Sequence, residues 1–425
     1  MSEGLPARAA AQAVLSDVLR RRRPLDAALE AIRGLPPRDA GFARAIASET
    51  LRRFGQIEAL IRHFVPRSPP PHKSGPTLEI LFAGACELLF LNVPAHAAVD
   101  AANRLAQADS KAVHFKALIN AVLRRVSREG AAFLARQDAA QLNTPDWLWL
   151  RWSDVYGERV TRAIAEAHLV PAPVDIVLKD GAMAPAGEPL FGNVVRLSEA
   201  GRIDMLPGFV EGDWWVQDAA ASLPARLLGD VRGLTVIDLC AAPGGKTMQQ
   251  AAAGAHVIAV ERDTARLERI RDNLARTKLT ATLVEADVRD FRPTAPAPCV
   301  LLDAPCTATG TIRRHPDIPW IKSAADVTLC EQGASELLDA AAAMVAPDGT
   351  LVFAVCSLEP EEGPMQAEAF LARNRAFARL RVAAEEIFGL EELISAEGDL
   401  RTLPCHLRDR GGMDGFYAAR FRRTS

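Results

Sequence analysis

Apolar residues recur at i, i+3 and i+4 through five Ala-rich stretches near the start of the chain, residues 10–19, 40–54, 78–91, 99–106 and 115–126. That spacing lays them along one stripe of a helix, so residues 1–140 are predicted to form an all-α domain. Pro36-Pro37 interrupts the pattern, and Ser68-Pro69-Pro70-Pro71-His72-Lys73-Ser74-Gly75-Pro76 predicts a loop, because proline offers no N–H to a helix. Residues 141–212 read as a connecting subdomain, with a helix over 147–168 and short β-branched pieces at 174–178 and 194–197. Beyond Trp214 the grammar changes. Apolar, β-branched runs at 235–239, 255–260, 281–284, 299–302 and 350–355 alternate with helix-length segments, and 415–421 reads as a last strand. Residues 213–425 are therefore predicted to be an α/β domain built on a doubly wound, mainly parallel sheet.

Composition narrows the class. The 425 residues are 49% hydrophobic and 24% charged, with a mean hydropathy of +0.03. No apolar run approaches the roughly 18 residues of a membrane span, and the N-terminus lacks a signal-peptide layout, so a cytoplasmic protein is expected. Seven cysteines without a Cys-x-x-Cys pair argue against a disulfide framework or a zinc finger, and no metal is expected. The formal charge of −3 is unevenly spread. Residues 1–145 hold 20 Lys/Arg against 13 Asp/Glu, a net of +7, and the remainder is correspondingly acidic. A basic N-terminal part suits a polyanion as well as it suits an ordinary solvated face.

Candidate chemistry begins where the first strand of the α/β region ends, in Asp238-Leu239-Cys240-Ala241-Ala242-Pro243-Gly244-Gly245-Lys246-Thr247. Two glycines before a helix let backbone approach a ligand and present free N–H groups. A P-loop would need glycine where Cys240 stands, and a dinucleotide fingerprint would need Gly-x-Gly-x-x-Gly. S-adenosylmethionine (SAM) asks for something else: a close loop, acids for its ammonium and ribose hydroxyls, and an apolar slot for adenine. Asp238, Glu261 and Asp287 stand at the ends of three successive strands, where open α/β sheets bind ligands. Each acid alone would read as a helix cap; three in register behind a Gly-Gly loop read as a cofactor crevice.

Two cysteines share that edge. The fourth strand ends in Asp303-Ala304-Pro305-Cys306-Thr307-Ala308-Thr309-Gly310, and the fifth in Val355-Cys356-Ser357. Cys86, Cys240, Cys299 and Cys330 read as ordinary packed thiols. Paired cysteines beside a methyl-donor crevice suit methylation of a pyrimidine carbon. C5 of cytosine is a poor nucleophile; thiolate addition at C6 makes it enamine-like, and elimination later restores the ring. A free thiol is only a few per cent ionised at neutral pH, so the site must assist it. Asp303, protonated or sharing a proton with ring N3, would stabilise the charge developing on the base. Spacing does not say which cysteine attacks.

At these residues the chain resembles the Sun/RsmB-type RNA 5-methylcytosine methyltransferases of the Nol1/Nop2/Sun family. The resemblance is carried by Asp238 to Thr247, Asp303 to Cys306, Arg313-Arg314-His315-Pro316-Asp317-Ile318-Pro319-Trp320, and Cys356-Ser357 followed by Glu359-Pro360-Glu361-Glu362. Trp215-Val216-Gln217-Asp218 and Asp414-Gly415-Phe416-Tyr417-Ala418-Ala419-Arg420-Phe421 add to it. It implies a class I SAM-dependent methyltransferase domain, with Cys356 as nucleophile and Cys306 assisting product release. It also implies SAM contacts from Cys240, Ala241, Ala242, Pro243, Gly244, Gly245 and Lys246, and from Glu261, Arg266, Asp287 and Asp303. Asn92 to Val99 and Lys116 to Arg125 resemble a NusB-like RNA-binding domain, which gives the basic N-terminal part phosphates to contact.

Two departures stand out. The family continues Ser-Gly-x-Gly after its Asp-x-Pro-Cys motif, whereas this chain has Thr307-Ala308-Thr309-Gly310; and Val177-Leu178-Lys179-Asp180 stands where members often show Arg-x-Asn. The expected reaction is transfer of methyl from SAM to C5 of a cytosine in RNA. The expected partner is 16S rRNA or a small-subunit assembly intermediate, met by a monomer, with the target base unstacked. A tRNA substrate, a non-catalytic RNA-binding assembly factor and a P-loop nucleotidase remain alternatives.

Overall fold

In the N-terminal helices the apolar stripe becomes the core. Helix Leu5–Arg21 buries Ala7, Ala11, Val14, Leu15 and Val18, which keeps one face inward for its whole length. Helix Thr77–Leu89 is buried on nearly every side, and helices Ala95–Ala108 and Lys116–Leu134 pack against it. The crossing with Lys116–Leu134 is close: a Cβ at Gly84 would come within 2.8 Å of the Leu123 side chain. The computed structural model describes residues 4–198 and 201–424. Among them no helix is long and apolar enough to cross a membrane.

The chain forms two compact units, and neither is continuous in sequence. The helical unit runs to Val170 and is completed by Ile312–Ser323, a strap returning from much later in the chain. The boundaries read from the sequence, 140 and 212, therefore cut through this organisation. Helices Asp146–Tyr156 and Glu158–His168 group with the helical unit, while the strands after Pro171 group with the α/β unit. The single helix expected over 147–168 is two, divided at Gly157, whose φ of +78° ends the first. The expected loop at 68–76 contains one helical turn, Pro71–Ser74, because proline at the first position of a helix sacrifices no internal hydrogen bond.

The strap is seated firmly. Ile321 lies in the core of the first helices, and the Trp320 indole donates to the Leu51 carbonyl at 2.8 Å, edge-on to Phe54 at 5.0 Å. Asp317 accepts from the Leu25 N–H at 2.9 Å. Buried Arg52 donates to the carbonyls of Arg313 and His168, each at 3.0 Å.

The other unit opens with a small antiparallel sheet: β1 (Asp175–Leu178), β2 (Gly187–Phe191), β3 (Val194–Leu197) and β4 (Trp214–Val216), in the order β2-β3-β1-β4. Asp175 and Arg196 form a buried two-pronged ion pair at 2.7 and 2.8 Å across it. The large sheet contains β5 (Thr235–Leu239), β6 (His256–Glu261), β7 (Thr282–Glu285), β8 (Ala297–Asp303), β9 (Val345–Val355), β10 (Phe377–Arg379), β11 (Leu400–Thr402) and β12 (Phe416–Arg423). Its order is β10-β12-β9-β8-β5-β6-β7, with β11 beside β12. β5 to β9 run parallel, while β10 to β12 pair antiparallel, so the sheet is mixed. One crossover departs from the expected alternation: residues 286–296, between β7 and β8, contain no helix.

Both faces are covered, as the continuous apolar strands require. Cys299, Leu301, Val352 and Ala354 face helices Ala219–Arg226, Gly245–Ala252 and Thr264–Thr277. Val300, Leu302, Leu351 and Phe353 face helices Ala324–Ala343 and Pro364–Arg373. β6 and β7 lie on one side of β5, and β8 and β9 on the other. The strand order therefore reverses at β5/β8, and a crevice opens at their carboxyl ends.

Candidate active site

The loop after β5 turns sharply. Cys240 takes φ +56°, Gly244 takes φ +100° at the N-cap, and helix Gly245–Ala252 begins there. At Gly244 only glycine is unstrained, which is the physical content of the Gly-Gly signal. Asp238 is fully buried and accepts from the Thr247 hydroxyl at 2.5 Å, while its Oδ1 has no hydrogen-bond partner among the described residues. Burial pushes its carboxyl up to about 7, against the Thr247 bond and the charge of Lys246.

Lys246, at the start of that helix, is buried rather than solvated. Its Nζ lies 2.7 Å from Asp303 Oδ2 and 5.1 Å from the centre of the Phe416 ring. Desolvation works against its charge, but Asp303, Asp238 and Cys356 outweigh it, and the ammonium is held above its ordinary value.

Glu261 closes the loop from the β6 side. It accepts from the Asp263 N–H at 3.1 Å and from the Ala242 N–H at 3.4 Å. Arg266 lies 3.5 Å from the same carboxylate and donates to the Ala242 carbonyl at 2.9 Å, so this partly exposed helix residue braces the loop. The true cap of that helix is Asp263. Asp287 is gripped by Arg289, whose guanidinium and backbone N–H hold the carboxyl down at about 2. Glu261, Arg266 and Asp287 line one cavity of about 260 Å3 together with Val260, Val288 and Leu337. Cys240 and Cys330, read as ordinary packed thiols, also line it. A larger groove of about 670 Å3, lined by Lys179, Arg226, Arg232 and Phe388, contains none of the site residues read from the sequence.

Cys306 and Cys356 come together at the β8 and β9 ends, with Sγ atoms 3.5 Å apart. The hydrogen bond with Cys356 and burial hold the Cys306 thiol well above its ordinary value, with Glu362 adding to the effect. Ala308, where the resembled family has glycine, adopts φ +60°. Gly310 donates to the Cys356 carbonyl at 3.0 Å and accepts from the Gly415 N–H at 2.8 Å. A Cβ there would lie 1.9 Å from the Gly415 carbonyl oxygen.

Sequence reasoning missed the polar layer beneath the cysteines. Glu362 accepts from the Thr307 N–H at 2.8 Å, from the Thr307 hydroxyl at 2.6 Å and from the Ser357 hydroxyl. Thr309 contacts Ser357 at 3.2 Å and accepts from the Leu358 N–H at 2.9 Å. Gln217 supports the first loop: its amide packs 3.2 Å from where a Gly245 Cβ would stand, and it bonds Gln249 at 2.7 Å. Polar residues at 307, 309, 357 and 362, two strand ends apart, were the available signal.

With this geometry in view, known proteins can be compared. A family model described as 16S rRNA methyltransferase RsmB/F matches residues 225–422, and one described as the NusB family matches residues 5–128. Ribosomal RNA small subunit methyltransferase B of Vibrio vulnificus (strain YJ016) is 35% identical, the alignment spanning 97% of this chain and 98% of that protein. The chain belongs to the RsmB/F family of 16S rRNA methyltransferases. The Cronobacter sakazakii protein of the same name is 34% identical over 94% of this chain and 98% of its own. Among solved structures, PH0851 superposes with a TM-score of 0.76 over 98% of this chain and 99% of that one; at 21% identity it supports the fold alone. A methyltransferase homolog protein from Pyrococcus horikoshii, 26% identical, superposes with a TM-score of 0.54 over 64% of this chain and 93% of its own.

This RsmB/F member is thus an RNA methyltransferase with a NusB-like helical domain and a class I α/β domain, and SAM is its methyl donor. The residues present fit that cofactor. The cavity joins two carboxylates, suited to hydroxyl and ammonium groups, with the apolar walls an adenine ring needs.

Proposed function

We propose that the protein methylates C5 of a cytosine in 16S rRNA through a covalent bond between Cys356 and C6. The observation that carries this reading is the pair of thiols 3.5 Å apart beside the Lys246–Asp303 ion pair. A methyltransferase acting on a nucleophilic oxygen or nitrogen has no use for paired thiols there, whereas C5 requires a nucleophile at C6.

Lys246 brings a buried positive charge close to Cys356. As sulfur attacks C6, the C5–C6 π pair shifts to C4–C5, making C5 enamine-like, and the C4–N3 π pair moves onto N3. The Lys246–Asp303 pair supplies a hydrogen bond or a proton to that nitrogen. The Cys240–Lys246 loop with Glu261, Arg266 and Asp287 would hold SAM, whose sulfonium would supply an electrophilic methyl group to the C5 electron pair and keep the S–CH3 pair as a neutral thioether. Once C5 carries the methyl group, its proton leaves to a base and the C5–H electron pair re-forms the double bond. The C6–S pair then returns to Cys356, where the Cys306 thiol hydrogen-bonds the departing thiolate. The helical unit, with its excess of basic side chains, would hold phosphates and contribute position rather than sequence readout.

The test is methyl transfer from radiolabelled SAM to small-subunit RNA by wild type, Cys306→Ala and Cys356→Ala, resolved on denaturing gels. Methylated RNA with wild type, a trapped protein–RNA adduct with Cys306→Ala and neither with Cys356→Ala are expected. An adduct confined to Cys356→Ala would exchange the two roles. A wild type that binds SAM and transfers methyl to tRNA alone would replace the substrate.

A further inference from the structure

Glu362 has no part in the chemistry described above, yet it is completely buried directly beneath it. Its carboxylate joins two loops that meet nowhere in sequence. On one side it accepts from the backbone N–H and hydroxyl of Thr307, the residue after Cys306. On the other it accepts from the hydroxyl of Ser357, the residue after Cys356. Ser357 in turn accepts from the Glu359 N–H at 3.0 Å, so the second loop is folded around the same hydroxyl. Burying a carboxylate is costly, and three short donors are what make this one tolerable. A purely structural tie between two loops needs no charge, since an amide would serve.

We propose that Glu362 is the positioning residue of the cysteine pair, fixing the two thiols in register through Thr307 and Ser357 and setting Cys306 apart from Cys356, the thiol left to attack. This rests on the covalent-cysteine reading and explains how chemically identical side chains, 3.5 Å apart, come to have different roles. The charges around the pair are arranged unequally. Cys306 faces Cys356 and the Glu362 carboxylate, both of which oppose its ionisation, and burial adds to them. Cys356 faces the Lys246 ammonium, itself neutralised in part by Asp303. Burial, with Glu359 adding to it, raises the Glu362 carboxyl above its ordinary value, and the donors from Ser357 and Thr307 work against that rise. Glu362 is thus tied through Thr307 to the Cys306 loop and opposes ionisation of that thiol, leaving Cys306 to hydrogen-bond the Cys356 sulfur when it departs from C6.

The experiment reads each thiol without RNA or SAM. The rate of iodoacetamide alkylation at pH 8 is measured by peptide mass spectrometry for Cys306 in Cys356→Ala and for Cys356 in Cys306→Ala, each with and without Glu362→Gln. Glutamine can keep the bond from the Thr307 N–H while removing the charge. Alkylation of Cys306 is expected to rise about tenfold, the thiolate gain for a drop of one pKa unit, and that of Cys356 to change less than twofold. Glu362→Asp, which retains the charge, should bring the Cys306 rate back toward its original value. With RNA, Glu362→Gln in the otherwise native enzyme should lower kcat while leaving KM for SAM within twofold. Unchanged Cys306 alkylation in folded Glu362→Gln, or equal acceleration of both thiols, overturns the proposal. If Glu362→Gln fails to fold, an unchanged rate ratio in Glu362→Ala against Glu362→Asp overturns it equally. Absence of any RNA adduct would sink the cytosine reading instead, and the alkylation rates would still decide the role of Glu362.

Discussion

Lys246 Nζ sits 2.7 Å from Asp303 Oδ2, joining the first helix after the cofactor loop to the end of the strand that leads into the Cys306 loop. The lysine is almost wholly buried and the carboxylate only partly exposed, so removing either leaves an uncompensated charge in poor solvent. Lys246→Met is expected to lower methyl transfer at least a hundredfold, the usual scale of a lost proton-transfer partner. It should also cost about 2 kcal/mol of stability, less than for a fully buried pair. Single-turnover kinetics and urea unfolding check both effects. Activity within threefold of wild type would mean that the pair is only structural.

Backbone space limits the Cys306 loop. Gly310→Ala would drive a methyl group into the Gly415 carbonyl, and a loss of about 3 kcal/mol together with loss of adduct formation is expected. Ala308→Gly acts oppositely. At φ +60° alanine carries roughly 1 kcal/mol of left-handed strain that glycine lacks, partly offset by the entropy of the unfolded glycine. Stability within about 1 kcal/mol of wild type and undiminished activity are expected, read by urea titration and initial rates.

Asp238 makes stability depend on pH. Its folded carboxyl titrates at about 7 because of burial, whereas an unfolded aspartate titrates near 4, so the folded state holds the extra proton between those values. The stability contributed by the neutral carboxyl is complete below about pH 4 and is lost as pH rises through about 7. Asp238→Asn removes this slope and can still accept from Thr247. Thermal unfolding of the two proteins from pH 4.5 to 8.5 should show their difference growing in favour of the variant. A constant difference refutes the assignment.

Arg266 is the weaker of the predicted cofactor contacts. Half exposed, it acts by bracing the Ala242 carbonyl and neighbouring Glu261. Arg266→Ala should weaken SAM binding by about fivefold, roughly the 1 kcal/mol net value of one ordinary hydrogen bond, with little change in melting temperature. Isothermal calorimetry with SAM provides the check; a hundredfold loss would make it a direct ligand.

Periodicity made the two fold classes legible. The spacing of Ala7, Ala11, Val14 and Val18 in one region and the runs that became β5 to β9 in the other left little choice. Strand-end acids and cysteines were legible because a parallel sheet gathers such ends at one edge. What escaped was non-local. The segment 312–323 carries no sign that it belongs with helices far upstream, since Trp320 and Ile321 are simply apolar until their partners are known. Glu362 was visible only as part of a motif, because its meaning lies in Thr307 and Ser357, one of them 55 positions away. The short β10 and β11 are paired into place by β12 rather than specified by their own three residues.

The returning strap has a consequence for biosynthesis. As the chain leaves the ribosome, the helices up to Val170 emerge first, yet Arg52 still lacks the Arg313 carbonyl and Leu51 the Trp320 indole. The helical unit therefore cannot finish folding until β5 to β8 have been made, and a helical fragment cut at Val170 would have an open seam where Ile321 belongs. Maturation of the two units is thereby tied to a single late event in translation, against the usual order in which an N-terminal domain folds ahead of the rest.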